Sequence, residues 1–192
     1  MRRGNFLPFI FRDNFVCFSS AMVRREAFEQ CGVFDEQIPL AIDYDLWLRI
    51  AAHWKFDYVD EPVVLYRTGH ANLSQRSEER LHIAMRIMRR FLNEQGGRNA
   101  LPSSVVRQAF ADTYCSLGLV QREHSFWRSL KSYGQAVMYQ PLGMSGYRGM
   151  VAALLPERAR RNVRRALGRP QEWTNMSHCT PDCTKKVSGT HA

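Results

Sequence analysis

The chain has 192 residues, 45% hydrophobic and 23% charged, with a net charge of +9. That length suits one ordinary domain, or a small domain with an appendage, and the balance excludes both a wholly disordered chain and a membrane bundle. No run of 18 apolar residues occurs, so no single segment is expected to span a bilayer.

The charge is uneven. Residues 1–75 hold 8 Lys+Arg against 10 Asp+Glu, residues 76–155 hold 11 against 5, and residues 156–169 hold 6 against 1. A positive balance of this size suggests nucleic acid or an anionic membrane surface. The opening MRRGNFLPFIF has an Arg pair and a short apolar stretch, but Pro8 breaks it and no small-residue cleavage site follows, so it does not read as a signal peptide. Five cysteines, Cys17, Cys31, Cys115, Cys179 and Cys183, are an odd number in a chain this long. Reduced thiols in the cytoplasm fit that count better than a disulfide framework.

Residues 14–23, NFVCFSSAMV, are β-branched, aromatic and small, and predict a strand. Arg24 to Cys31 have helical spacing and end before Gly32, which suits a helix C-terminus. A loop with Pro39 leads into residues 43–54, DYDLWLRIAAHW, the strongest helical signal of the first half, with Asp43 suited to the N-cap and Asp45 to the first turn. FDYVDEPVVLYRT gives two short strand-like runs around Glu61-Pro62. From Leu81 to Leu92 apolar residues follow the helical period. A turn at 93–102 precedes helices predicted over 103–120, with Ser103 or Ser104 as cap, and over 124–140. Residues 157–169 are Arg-rich and suit an amphipathic helix, and 170–192 read as a disordered tail.

Residues 14–74 carry a strand ending in small residues, then VRREAF, CGVFDE, DYDLWLRIA, VVLYR, a His three residues after that Arg, and NLS. In this order and spacing the block resembles the second half of the catalytic domain of family 2 glycosyltransferases, inverting enzymes with the GT-A fold. The resemblance implies an α/β chain: an α+β fragment of a GT-A fold over residues 1–75, then an α-helical extension over 76–156, the basic helix 157–169 and the tail 170–192. It implies transfer of a sugar, with inversion, from a nucleotide-sugar donor to a glycan or lipid-linked acceptor. Asp43 matches the catalytic base, a carboxylate that takes the acceptor hydroxyl's proton, although Ile42 stands where the family usually has Glu. His70 matches a ligand of the divalent metal, Mn²⁺ or Mg²⁺, that would neutralise the leaving diphosphate. Asp45, Trp47 and Arg49 match the acceptor side, where an indole can stack on a sugar face and a guanidinium can donate hydrogen bonds. The family's nucleotide-binding half and its D-x-D metal motif normally precede such a block, and only 13 residues do so here. The sequence therefore reads as the acceptor-side part of a truncated enzyme, without a donor-binding residue of its own. Its expected place is the cytoplasm, with peripheral contact at the inner face of the membrane through residues 157–169.

Simpler readings stand beside these. Asp43 can be a helix cap, Trp47 a core residue and Arg49 the partner of a nearby carboxylate. Cys179 and Cys183 with His178 have zinc-like spacing, but His191 is the sole further ligand near them. The alternative function is a non-enzymatic basic helical module that binds nucleic acid or a protein partner, although no nucleic-acid-binding motif accompanies the charge.

Overall fold

The computed structural model describes residues 4–65 and 77–155. The first helix, α1 (Leu7–Arg12), falls in the apolar stretch that the sequence reading leaves unassigned. Pro8 lies in its first turn, where a missing N–H costs nothing, and the Asn5 side chain accepts from the Leu7 N–H at 3.1 Å. Leu7, Ile10 and Phe11 point into the core. Next come α2 (Arg25–Cys31) and α3 (Ile42–His53). Gly32 ends α2 at φ +77°, a conformation a Cβ would oppose.

The rest is a succession of helices: α4 (Ser77–Glu94), the single turn α5 (Gly97–Ala100), α6 (Ser103–Gln121), α7 (Phe126–Tyr139) and α8 (Met144–Leu154). The predicted helices over 81–92, 103–120 and 124–140 correspond to α4, α6 and α7, and α8 is an addition. Neither Ser103 nor Ser104 caps α6, because Pro102 takes the N-cap position and no side chain bonds the end.

The expected α/β class is corrected. Among the described residues every regular element is helical and no strand forms. Residues 14–23 are not a strand but irregular backbone with one 3-10 turn at Phe18–Ser20. The physical reason is the lack of a second edge. An apolar extended run becomes a strand only when a neighbouring backbone supplies its hydrogen bonds. Among the described residues the single pairing is an isolated antiparallel bridge, in which Gly4 and Phe56 exchange two N–H to C=O bonds at 3.1 Å.

One core holds the helices together. Phe11 of α1 meets Phe91 of α4 and Phe110 of α6, with ring centroids 6.2 and 6.4 Å apart. Full burial of each such ring stabilises the fold by about 2–3 kcal/mol. Leu46, Trp47, Leu48 and Ile50 of α3 belong to the same cluster, so residues before and after 75 share it. On the far side, the Tyr133 ring of α7 lies against Gly118 of α6 and Gly149 of α8, where a Cβ would come within 3 Å of it. Small residues here let three helices approach closely.

Candidate functional site

Helix α3 positions the candidate residues. It is buried almost all round, from Tyr44 to Ala51, which fits the middle helix of a packed group. It begins at Ile42, one residue before the predicted start. Its N-cap is Ala41, in left-handed conformation at φ 57°, ψ 33°. A residue with a Cβ holds that conformation at a cost of about 1–2 kcal/mol. Asp43 is therefore not the cap but the second helical residue. Its Oδ1 accepts from the Tyr44 N–H at 2.9 Å, and its Oδ2 accepts from Asn14 Nδ2 at 3.2 Å. The group is half-buried, at a helix end whose dipole favours negative charge.

Two residues along a helix turn the side chain by about 200°. Asp45 consequently points the other way and is only 1% exposed. Its Oδ2 accepts from Arg49 Nε at 3.0 Å, while its Oδ1 is buried without a partner. The same guanidinium donates to the Cys31 carbonyl and, at 2.8 Å, to the Val33 carbonyl. Arg49 thus satisfies carbonyls at the end of α2 and ties that helix to α3. Burial raises the Cys31 thiol pKa above its ordinary value, and the Arg49 charge opposes that rise more weakly. Beside Asp45, Tyr44 is fully buried and donates its hydroxyl to the Phe11 carbonyl at 2.8 Å. Desolvation pushes its pKa well up, and Asp13 adds to the effect.

Trp47 is 2% exposed, with an indole N–H that has no described acceptor. Neither face of its ring is open for a sugar to stack on. The structure gives Asp45, Trp47 and Arg49 packing and bracing roles. It leaves Asp43 as the one member of the predicted set whose carboxylate reaches the surface while held by another side chain. Asn14, which holds it, escaped the sequence reading. Its position 29 residues upstream carries no periodic or motif signal.

His70 lies outside the described residues, as do Cys179, Cys183, His178, His191 and the basic stretch 157–169. Among the described residues no three His, Cys, Asp or Glu side chains gather to hold a metal ion. No helix among them is long and apolar enough to cross a membrane. Compared with known proteins, the chain matches no family model, no curated protein and no solved structure. With the all-helical arrangement of the described residues, this overturns both the assignment to family 2 glycosyltransferases and the GT-A fold expected from it.

Proposed function

We propose that the chain acts in glycosyl transfer, with the Asp43 carboxylate as the base. The observation that supports this is the contrast between two carboxylates on one helix. Asp45 is sealed and committed to Arg49, whereas Asp43 is oriented by Asn14 and open to water. A carboxylate held this way can take the proton of an acceptor hydroxyl as its oxygen forms the bond to the anomeric carbon and the nucleoside diphosphate leaves.

The proposed setting is the cytoplasmic face of a membrane, with a lipid-linked or polymeric glycan as acceptor. Met144, Tyr147, Val151 and Leu154 recur along one side of α8 and are all exposed. Such a stripe, on a helix that leads toward the Arg-rich residues 157–169, suits an anionic interface.

Acceptor-dependent release of nucleoside diphosphate from a panel of nucleotide sugars tests the proposal. Replacing Asp43 with Asn should lower turnover about 10²-fold or more without changing helical content. Absence of acceptor-dependent release with every donor, or equal turnover in the variant, overturns it.

A second reading, a non-enzymatic interaction module, is favoured by one feature. Met22, Val33 and Leu65 lie on non-helical segments, and Met22 and Leu65 are 99% and 100% exposed. Apolar groups presented in this way suit a protein partner. Sedimentation velocity over a concentration series tests it: self-association lost on Leu65→Ser supports the module, and a monomer throughout argues against it.

A further inference from the structure

Elsewhere in the fold the arginines that face a carboxylate are paired. Arg12 meets Asp112, Arg49 meets Asp45, Arg90 meets Asp35, and Arg128 meets Glu78. Three others behave differently. Arg89, Arg98 and Arg107 come from α4, α5 and α6 and line one cavity of about 490 Å³. Among the described residues no carboxylate lines that cavity. Among the described residues Arg98 donates only to the neutral Asn93 side chain, at 2.8 and 3.3 Å. Arg89 donates to the Tyr114 hydroxyl at 3.0 Å and lies 5.6 Å above the Phe110 ring. Arg107 makes no hydrogen bond or ion pair with any described residue.

Beneath these guanidiniums the wall is apolar. Leu101, Val106 and Phe110 form it, and Tyr139, stacked on Phe110 at 5.0 Å, closes one side. Ser103, the first residue of α6, also lines the cavity, and no side chain caps that helix end. Its free N–H groups add positive potential on the same side as the arginines.

Three unneutralised guanidiniums around an apolar floor define a ligand chemistry. Guanidiniums match phosphate oxygens in fork geometry, and the leucine, valine and aromatic lining rewards a hydrocarbon or ring attached to the phosphate. We propose that this cavity binds a phosphate ester or pyrophosphate that carries an apolar group. The site shares no residue with the Asp43 site and does not depend on the activity proposed there. Its ligand can come from two sources, a free amphiphilic phosphate or the headgroup of a membrane lipid, and both present the same chemistry.

The full chain tests the idea by calorimetric titration with decyl phosphate below its micelle concentration and with inorganic pyrophosphate. A parallel arm uses flotation with phosphatidylcholine vesicles, with and without phosphatidic acid. Decyl phosphate should bind more tightly than pyrophosphate. Arg107→Ala removes no hydrogen bond or ion pair among the described residues and should weaken binding about tenfold, and Arg98→Ala with Arg107→Ala about 100-fold. The control Arg24→Ala with Arg25→Ala, on exposed arginines outside the cavity, should leave binding unchanged. Binding in solution that Arg107→Ala weakens identifies a free ligand. Flotation that requires phosphatidic acid and falls in the same variant, without binding in solution, identifies a headgroup. No binding in either arm, or binding lowered equally by the control pair, overturns the proposal.

Discussion

The brace between α2 and α3 allows a quantitative test. Arg49→Ala removes the bond to Asp45 at 3.0 Å, the bond to the Val33 carbonyl at 2.8 Å and the bond to the Cys31 carbonyl. It leaves Asp45, 1% exposed, with neither oxygen bonded to a side chain. Removing one partner of a buried ion pair costs about 3–5 kcal/mol, most of it the uncompensated charge. The Arg49 side chain is 15% exposed, so water reaches one side of the pair and the lower end applies, about 3 kcal/mol. For a chain of this size that corresponds to a fall in Tm of about 6–12 °C. Urea unfolding followed by far-UV circular dichroism should show a lower midpoint with an unchanged slope. Replacing both partners, Asp45→Leu with Arg49→Met, should recover about 2 kcal/mol or more of that loss, because no charge is then buried alone. A single-variant loss below about 1 kcal/mol would refute the brace and make Arg49 an ordinary surface arginine.

Four further substitutions probe other positions. Tyr44→Phe leaves the Phe11 carbonyl without its 2.8 Å donor and should cost about 1 kcal/mol in the same unfolding assay. Glu78 accepts from Gln121 and Arg128, and these bonds, the Gln121 bond foremost, hold its pKa below the ordinary 4.5. The stability it supplies is complete at neutral pH and is lost as pH falls below about 4.5 through its folded value. Glu78→Gln should therefore be less stable at neutral pH and show a flatter acid limb in thermal melts. Gly149→Ala drives a Cβ to 2.2 Å from the Tyr133 ring and should destabilise by about 1–3 kcal/mol despite alanine's better helix propensity. In contrast, Gly134→Ala meets nothing within 4 Å and should stabilise by up to about 1 kcal/mol.

The helices were legible because their signals are local. The apolar period of 81–92, the run over 103–120 and the glycine after Cys31 each act within a few residues. Sheet membership is not local. Residues 14–23 have strand composition, but a strand depends on a partner that composition does not supply, and the segment stays irregular. Helix α1 was hidden for the opposite reason, since its proline looks like a breaker until it is placed in the first turn. Among the candidate residues, position at a helix start marks Asp43 only as a cap, and its choice as a base comes from the family resemblance. The bond from Asn14, the sealing of Asp45 and the gathering of Arg89, Arg98 and Arg107 are tertiary events with no sequence period.

The uneven charge takes a different meaning once the pairs are known. Two carboxylates of the acidic first part turn inward or across to the helical part. Asp45 braces α2, and Asp35 reaches Arg90, whose guanidinium in turn keeps the Asp35 carboxyl below its usual range. Asp43, half-buried, is held instead by the neutral amide of Asn14. In the basic part the same pairing removes Arg90 and Arg128 from the surplus. Arg89, Arg98 and Arg107 are left facing one cavity with an apolar floor. A net excess spread over a helix face attracts any polyanion, and salt screens it readily. Three guanidiniums lining one volume select a small anion by fork-like hydrogen bonds, and the apolar floor adds a contribution that salt does not screen. The cavity should therefore retain decyl phosphate at an ionic strength that abolishes nonspecific nucleic-acid binding, and titration across salt separates the two.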